Sequence, residues 1–177
     1  MPAPAFAETD RVSLHPIEEA DYEFVREYRN HPDVRIPLTD SRIRTVEDVA
    51  ESVEDADYRF LVCASDENGD RVRVGEVAFA YVAREGERGA LMYWIAPEHR
   101  GNGYVTEATE LFLDYAFREC GFHKVTARVL ESNEASAATL EKLGFVREGT
   151  RRESSVVDGE YEDMYTYGLL DREWLDR

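Results

Sequence analysis

The sequence predicts an α/β (α+β) fold with a mixed, mostly antiparallel central sheet of about seven strands, flanked by about four helices. Segments of alternating apolar residues are interspersed with segments whose apolar residues recur at helical spacing. Glycine- and acid-rich turns separate the two kinds of segment. The chain has 177 residues, 43% hydrophobic and 11% aromatic, which is enough for one domain with a sizeable core.

The N-terminal third of the chain predicts one strand and two helices. Residues 1–10 contain Pro and Ala without periodicity and are predicted to be a loose tail, ahead of a single domain at 11–177. A short strand is predicted at 11–15 and a helix at 18–29. Thr45 is a good N-cap for a second helix that ends near residue 56. The connection at 34–44 has little patterning that would predict a helix or a strand.

The rest of the chain predicts six strands and two helices. Three antiparallel strands are expected at 58–64, 72–82 and 89–95, with turns at 66–70 and 85–87. A helix at 102–119, a strand at 123–130, a helix at 134–143 and two strands at 145–153 and 161–170 follow. Crossovers through helices imply parallel neighbours, so the sheet is predicted to be mixed.

The connection from the strand at 89–95 to the helix at 102–119 has a distinctive composition. Pro97 ends the strand because it removes a backbone donor. Gly101 and Gly103 free the backbone to bend and let another group come close. A helix N-terminus carries unpaired N–H groups and a partial positive charge, so this turn can hold a phosphate without a basic side chain.

Several interpretations compete for this turn. A lone Gly-x-Gly is by default an ordinary connection. A dinucleotide fingerprint requires a third glycine where Thr106 stands, and the Gly-Lys-Ser/Thr ending of a P-loop is absent. The remaining interpretation is a pyrophosphate-binding turn of another kind.

The run Arg100-Gly101-Asn102-Gly103-Tyr104-Val105 resembles the acyl-CoA pyrophosphate loop of the GNAT superfamily of N-acetyltransferases. That pattern is Gln or Arg, two residues, Gly, any residue, then Gly or Ala. The sixth position departs from it, since Val105 stands where the family has Gly or Ala. The N–H of Val105 can still donate, but its branched side chain crowds the approach.

A second segment strengthens the resemblance. Residues 133–145 are similar to the family's Asn-x-x-Ser segment followed by Leu-Glu-Lys-Leu-Gly-Phe. Together with Glu148-Gly149, Gly159 and Asp163, this arrangement is typical of the branch that includes ribosomal-protein N-terminal acetyltransferases. The resemblance covers residues 12–174, nearly the whole chain.

The resemblance implies a set of acetyl-CoA-binding residues. The backbone of the strand before the loop would pair with the pantetheine amides, and a backbone N–H at its end would stabilise the oxyanion. Asn133 would bind the CoA arm or a bridging water, although its residue type also favours a helix cap. The implied binding residues are Tyr93, Trp94, Ile95, Arg100, Gly101, Asn102, Gly103, Tyr104, Val105, Thr106 and Asn133.

The resemblance also implies two catalytic groups. Ser136, at the Asn-x-x-Ser position, would give a proton or hydrogen bond to the departing thiolate. Glu76 follows a strand glycine and is the first candidate for the base that removes the amine's proton, often through water. With 38 acids in the chain, most are expected to be solvated surface. Some relatives place an acid five residues before Asn133, where this chain has Arg128.

Composition limits the other function classes. A net charge of −17 disfavours nucleic-acid binding, and no apolar run approaches the roughly 18 residues of a membrane span. Cys63 and Cys120 are too few for a disulfide framework, and no metal is expected. No signal peptide is recognisable, so a cytoplasmic location is expected. An acidic chain with only two lysines, Lys124 and Lys142, suggests a halophilic origin.

The predicted function is acetyl transfer from acetyl-CoA to a primary amine, with a protein N-terminal α-amino group as the acceptor that the resemblance favours. A polyamine or aminoglycoside acceptor is an alternative within the same enzyme class. A non-catalytic acyl-CoA sensor, or an acidic interaction domain without a ligand, is an alternative from another class. A monomer or a homodimer is expected.

Overall fold

The computed structural model describes residues 4–66, 69–85 and 87–177. The predicted turns at 66–70 and 85–87 lie partly outside the described residues, and so does the start of the predicted tail.

The described residues form eight strands and six α-helices. The strands are β1 (Ala7–Glu8), β2 (Val12–His15), β3 (Arg59–Ser65), β4 (Arg71–Ala83), β5 (Arg88–Ile95), β6 (Lys124–Leu130), β7 (Val146–Val157) and β8 (Glu160–Leu170). The helices are α1 (Tyr22–Asn30), α2 (Pro32–Arg35), α3 (Val46–Glu54), α4 (Tyr104–Asp114), α5 (Glu134–Lys142) and α6 (Asp171–Leu175). Short 3₁₀ turns occupy Glu19–Asp21 and Pro97–His99, and a π-helical turn, Tyr115–Glu119, follows α4.

The strands belong to one sheet in the order β1-β2-β3-β4-β5-β6-β8-β7. β5 and β6 run parallel, while β1–β2, β2–β3, β3–β4, β6–β8 and β7–β8 are antiparallel pairs. This topology confirms the predicted mixed, mostly antiparallel sheet with helical crossovers.

Three elements differ from the sequence prediction. β1 lies inside the segment 1–10 that was expected to be loose: Ala7 pairs with Leu14, and the ring of Phe6 stacks 4.8 Å from that of Phe60. α2 overlaps the start of the connection at 34–44, for which no helix was predicted, and it has Pro32 in its first turn. α6 follows β8 directly. These elements are two to five residues long, too short for a periodic pattern to be recognised.

The chain divides into two compact units. One comprises Met1–Phe79 and Tyr93–Phe112, and the other comprises Ala80–Met92 and Leu113–Arg177. The division by itself does not test the predicted boundary of one domain at 11–177, which stays a prediction. Among the described helices, none combines the length and the apolarity that a membrane crossing requires.

The first unit has a mixed aliphatic and aromatic core. α1 and α3 pack over β3 through a cluster of Ile17, Val25, Val49, Leu61 and Cys63. Phe60 and Phe79 pack edge-to-face against the fully buried ring of Phe112 in α4. These contacts fix both α1 and α4 relative to the strands of this unit.

The second unit is built around β6 and β8. Val125, Ala127 and Val129 are buried on β6, and Leu169 and Tyr167 on β8. The hydroxyl of Tyr167 donates to Glu141 of α5 (3.1 Å). The indole N–H of Trp174 in α6 donates to Asp114 (2.8 Å). Both polar groups therefore have partners where the rings are buried.

Candidate functional site

The turn between β5 and α4 takes the backbone conformation that its glycines allow. Gly101 and Gly103 both have φ +79°, in the left-handed region where an L side chain is strained. A Cβ added at either position meets no heavy atom within 4 Å. The glycines are thus required by the backbone path, and the space next to them is open.

The start of α4 leaves amide donors unpaired. The carbonyl of Gly103 accepts the N–H groups of Thr106 (3.1 Å) and Glu107 (3.3 Å). Within the described part of the chain, the N–H groups of residues 101–105 have no backbone acceptor. Gly103 precedes the helix and has no side chain to cap it. Consecutive free amides at a helix start bind anions well.

Arg100 and Asn102 stabilise the turn from within. The guanidinium of Arg100 donates to the carbonyl oxygens of Ile95 (3.1 Å) and Asp33 (2.7 Å). The side-chain amide of Asn102 donates to the carbonyl oxygens of His99 (3.0 Å) and Arg100 (3.3 Å). The polar side chains of the predicted loop therefore shape its backbone.

β4 approaches the end of β5 closely. The N–H of Ala96 donates to the carbonyl of Val74 (2.8 Å). A Cβ on Gly75 would lie 2.1 Å from the carbonyl oxygen of Trp94, so only glycine fits there. The side chains of Trp94 and Ile95 are buried and that of Tyr93 is partly buried.

Glu76, the predicted base, lies beside this glycine and is fully buried. Its Oε2 accepts the indole N–H of Trp94 (3.0 Å). Its Oε1 is 2.7 Å from Nε of Arg59, an ion pair whose angles fall outside hydrogen-bond geometry. These contacts give Glu76 a structural task, because they neutralise its charge and orient Trp94. Its role as the base stays a prediction.

An aromatic group lies against Trp94. The ring centroids of Phe24 and Tyr28 in α1 are 5.8 Å and 5.7 Å from that of Trp94. The hydroxyl of Tyr28 donates to the exposed carboxylate of Glu98 in the 3₁₀ turn. That hydrogen bond and burial raise the pKa of Tyr28 to about 12, and the same hydrogen bond lowers the pKa of Glu98.

Asn133 and Ser136 lie in the second unit, at the start of α5. The side chain of Asn133 accepts the backbone N–H of Ser136 (3.2 Å) and so caps the helix. Ser136 is partly buried, and Arg128 is exposed on β6. The cap that the residue type favoured is observed. The predicted roles of Asn133 toward CoA and of Ser136 toward the thiolate stay predictions.

Sequence reasoning missed three residues that lie at the turn or at Trp94. Glu98 precedes Gly101 by three positions, so the sequence alone predicts that it lies near the turn. Tyr28 falls within the helix predicted at 18–29 and Arg11 within the strand predicted at 11–15, and the sequence indicates no site role for either. Their partners are 70 and 91 residues away in the chain, and no local pattern encodes such contacts.

Comparison with known proteins agrees with this geometry. Residues 11–146, more than half of the chain, match the acetyltransferase (GNAT) domain. An 82-residue stretch is 40% identical to the putative ribosomal N-acetyltransferase YdaF of Bacillus subtilis (strain 168), and covers 46% of this chain and 45% of YdaF. The match thus spans less than half of YdaF's length.

Two further similarities extend over nearly the whole chain. The spermidine N(1)-acetyltransferase of Vibrio cholerae is 25% identical over 175 residues, covering 94% of this chain and 97% of that protein. The crystal structure of the spermidine N-acetyltransferase from Vibrio cholerae in complex with CoA and spermine superposes with a TM-score of 0.85 at 23% identity, covering 94% and 99% of the two chains. At that identity the superposition shows a common fold.

The chain therefore belongs to the GNAT acetyltransferase family. It is an acetyl-CoA-dependent N-acetyltransferase, as the resemblance predicted.

Proposed function

We propose that this chain acetylates a primary amine and that a protein N-terminal α-amino group is the first candidate acceptor. The proposed binding of acetyl-CoA rests on one observation, the turn ahead of α4, which has two glycines in the left-handed region and backbone amides without a backbone acceptor. The acceptor half is supported by the similarity to YdaF, named as a putative ribosomal N-acetyltransferase.

In this proposal the CoA diphosphate is held by the free backbone donors of residues 101–105 and by the dipole of α4, whose first turn includes Thr106. Arg100 contributes indirectly, because its guanidinium is bonded to carbonyl oxygens of the protein. The backbone of Tyr93, Trp94 and Ile95 pairs with the pantetheine amides.

The proposed reaction breaks the thioester C–S bond as the neutral amine attacks the acetyl carbonyl and forms the new C–N bond. A backbone N–H at the end of β5 stabilises the oxyanion. Ser136 gives the CoA thiolate its proton, and the proton lost by the amine passes to a carboxylate, for which Glu76 is the predicted acceptor.

The ammonium group of the acceptor is proposed to bind the carboxylate of Glu98. This carboxylate is exposed, charged at neutral pH and fixed by the hydroxyl of Tyr28. The hydroxyl of Tyr28 donates to this carboxylate and the ring of Tyr28 stacks on Trp94, and the face of an aromatic ring also attracts an ammonium group. One carboxylate with an aromatic neighbour suits a peptide N-terminus, which carries a single positive charge.

A polyamine is the second candidate acceptor. The net charge of −17 would draw a polycation to the protein surface. The spermidine acetyltransferase of Vibrio cholerae, moreover, is similar over 94% of this chain.

A thiol-release assay separates the two candidates. Initial rates are measured with peptides that begin with Ser or Ala, with the same peptides N-acetylated as matched controls, and with spermidine, spermine and an aminoglycoside, at low and at molar salt. We expect kcat/KM for the free peptides to exceed that for the polyamines by at least about tenfold. A preference for spermidine establishes the second candidate, and no thiol release with any amine overturns the proposal.

The Glu98→Gln variant tests the acceptor site separately. We expect KM for the acceptor to rise about 3- to 30-fold with little change in acetyl-CoA affinity, because one charge-assisted contact is lost. Glu23→Gln is the matched control, since Glu23 is also exposed and its carboxylate pairs with Arg26. Equal acceptor KM values in both variants would remove Glu98 from the acceptor site.

A further inference from the structure

The segment between β1 and β2 reaches the turn ahead of α4 through Arg11. One guanidinium nitrogen donates to the carbonyl oxygen of Asn102 (2.5 Å), and another pairs with Oε1 of Glu107 (2.9 Å). The guanidinium carbon lies 5.5 Å from the centre of the Tyr104 ring. The backbone of Arg11 is itself fixed, because its carbonyl accepts the N–H of Ser65 (3.0 Å).

Glu107 is the acid that Arg11 meets, and it lies in the first turn of α4. A carboxylate at this position interacts favourably with the helix dipole. It also repels any diphosphate bound to the amides of the same turn, because like charges at short distance raise each other's energy. The second oxygen of Glu107 accepts the hydroxyl of Thr9 (3.2 Å), so the carboxylate is held in place.

Arg100, the basic residue of the loop motif, directs its guanidinium to backbone carbonyl oxygens. Its guanidinium is bonded to the carbonyl oxygens of Ile95 and Asp33. Arg11 is the cation in contact with Glu107, and the same side chain holds the carbonyl of Asn102 between the two glycines.

We propose that Arg11 is a positioning residue of the acetyl-CoA site. It neutralises Glu107 and fixes the Asn102 carbonyl, so the turn presents its amides to the CoA diphosphate without a competing negative charge. The proposal rests on the assignment of residues 101–106 as the diphosphate turn.

A double-mutant cycle tests this role through acetyl-CoA affinity, measured by calorimetry and by KM. We expect Arg11→Met to weaken acetyl-CoA binding about tenfold, which is the size of one lost charged contact. Turnover at saturating acetyl-CoA stays within about twofold, because the reacting atoms are untouched. Glu107→Gln alone leaves affinity unchanged or improves it. The Arg11→Met/Glu107→Gln variant recovers most of the lost affinity, because the repelling charge is gone.

Arg118→Met is the matched control, since Arg118 is similarly exposed and pairs with Asp114 on a helix surface; its affinity should equal that of the wild type. If Arg11→Met does not fold, Arg11→Gln replaces it in the cycle, because it removes the charge and keeps a polar side chain that can donate to the Asn102 carbonyl. Affinity unchanged in the Arg11 variant, or no recovery in the double variant, overturns the inference. Gly103→Val tests the turn itself: if it weakens binding while Arg11→Met does not, only the inference about Arg11 fails.

Discussion

The helices α4 and α5 begin in different ways, and the difference distinguishes a helix start whose amides are available to a ligand from one that a side chain of its own sequence caps. α5 is preceded by Asn133, whose side chain accepts the N–H of Ser136. α4 is preceded by Gly103, which has no side chain, and within the described residues the amides of the turn have no backbone acceptor. A capped helix gains stability from its own sequence. An uncapped one keeps donors for an anion.

α3 supports this distinction. Its first residues form a capping box, in which the hydroxyl of Thr45 accepts the N–H of Asp48 (3.1 Å) and the carboxylate of Asp48 accepts the N–H of Thr45 (2.8 Å). The sequence predicted the caps of α3 and α5 from residue types. Glycine at the start of α4 therefore differs from Thr45 and Asn133, whose side chains cap α3 and α5.

The largest effect is expected at the capped helix. Ser136→Ala keeps the backbone N–H that Asn133 accepts, and alanine is the better helix former. If the hydroxyl serves the leaving thiolate, kcat falls about 10- to 1,000-fold while acetyl-CoA affinity changes little. The exposed neighbour Ser132 provides the control variant Ser132→Ala, with kcat within about twofold of wild type. A near wild-type kcat in Ser136→Ala would show that the Ser136 hydroxyl does not protonate the leaving thiolate.

The next effect is expected at the uncapped helix. Gly103→Val forces a branched residue into φ +79° and extends a side chain into the open space beside the amides. We expect acetyl-CoA affinity to fall about 30-fold or more, because strain and obstruction act together.

The control for that variant is Gly121→Val. Gly121 has φ +72° and equally open surroundings, after the π-helical turn. Both variants should lose about 1–3 kcal/mol of stability, and only Gly103→Val should lose affinity. Equal acetyl-CoA dissociation constants in the two folded variants would exclude the turn from the binding site.

Gly103 and Asn133 also show which features of the site can be predicted from the sequence. The dihedral demand of Gly103 and the cap of Asn133 are local, and residue type predicts both. The order of strands and helices along the chain followed from the succession of their patterns, since long periodic segments are the most readable, whereas the position of β8 between β6 and β7 in the sheet was not predicted. The ion pair of Arg11 with Glu107, the bond from Tyr28 to Glu98 and the ion pair of Glu76 with Arg59 depend on tertiary packing. Residue types at those positions are as common on a solvated surface, so the sequence gives no signal there.

A smaller effect is expected from removal of the cap itself. Asn133→Ala leaves the N–H of Ser136 without its side-chain acceptor, and should cost about 1 kcal/mol in the free energy of unfolding. Thr45→Ala at α3 should cost a similar amount, which makes it the comparison variant in urea titrations. If Asn133 also serves CoA, its variant loses acetyl-CoA affinity as well, whereas Thr45→Ala does not.

The smallest effect is a pH dependence at the turn that leads to α4. The pKa of Tyr28 is raised from 10.0 to about 12 by its bond to Glu98, so the stability that it contributes is fully present below pH 10 and lost as pH rises toward 12. The pKa of Glu98 is lowered from 4.5, so its contribution is present above that value and lost as pH falls below it. Glu98 is exposed and Tyr28 is only partly buried, so solvent screening keeps the total under about 1 kcal/mol. Tyr28→Phe should flatten the pH dependence of the unfolding free energy in both windows, whereas Tyr161→Phe, at a 73% exposed tyrosine, should leave it unchanged. Identical profiles for wild type and Tyr28→Phe would mean that the bond between Tyr28 and Glu98 does not persist in solution, and would remove the fixed carboxylate from which the acceptor site was argued.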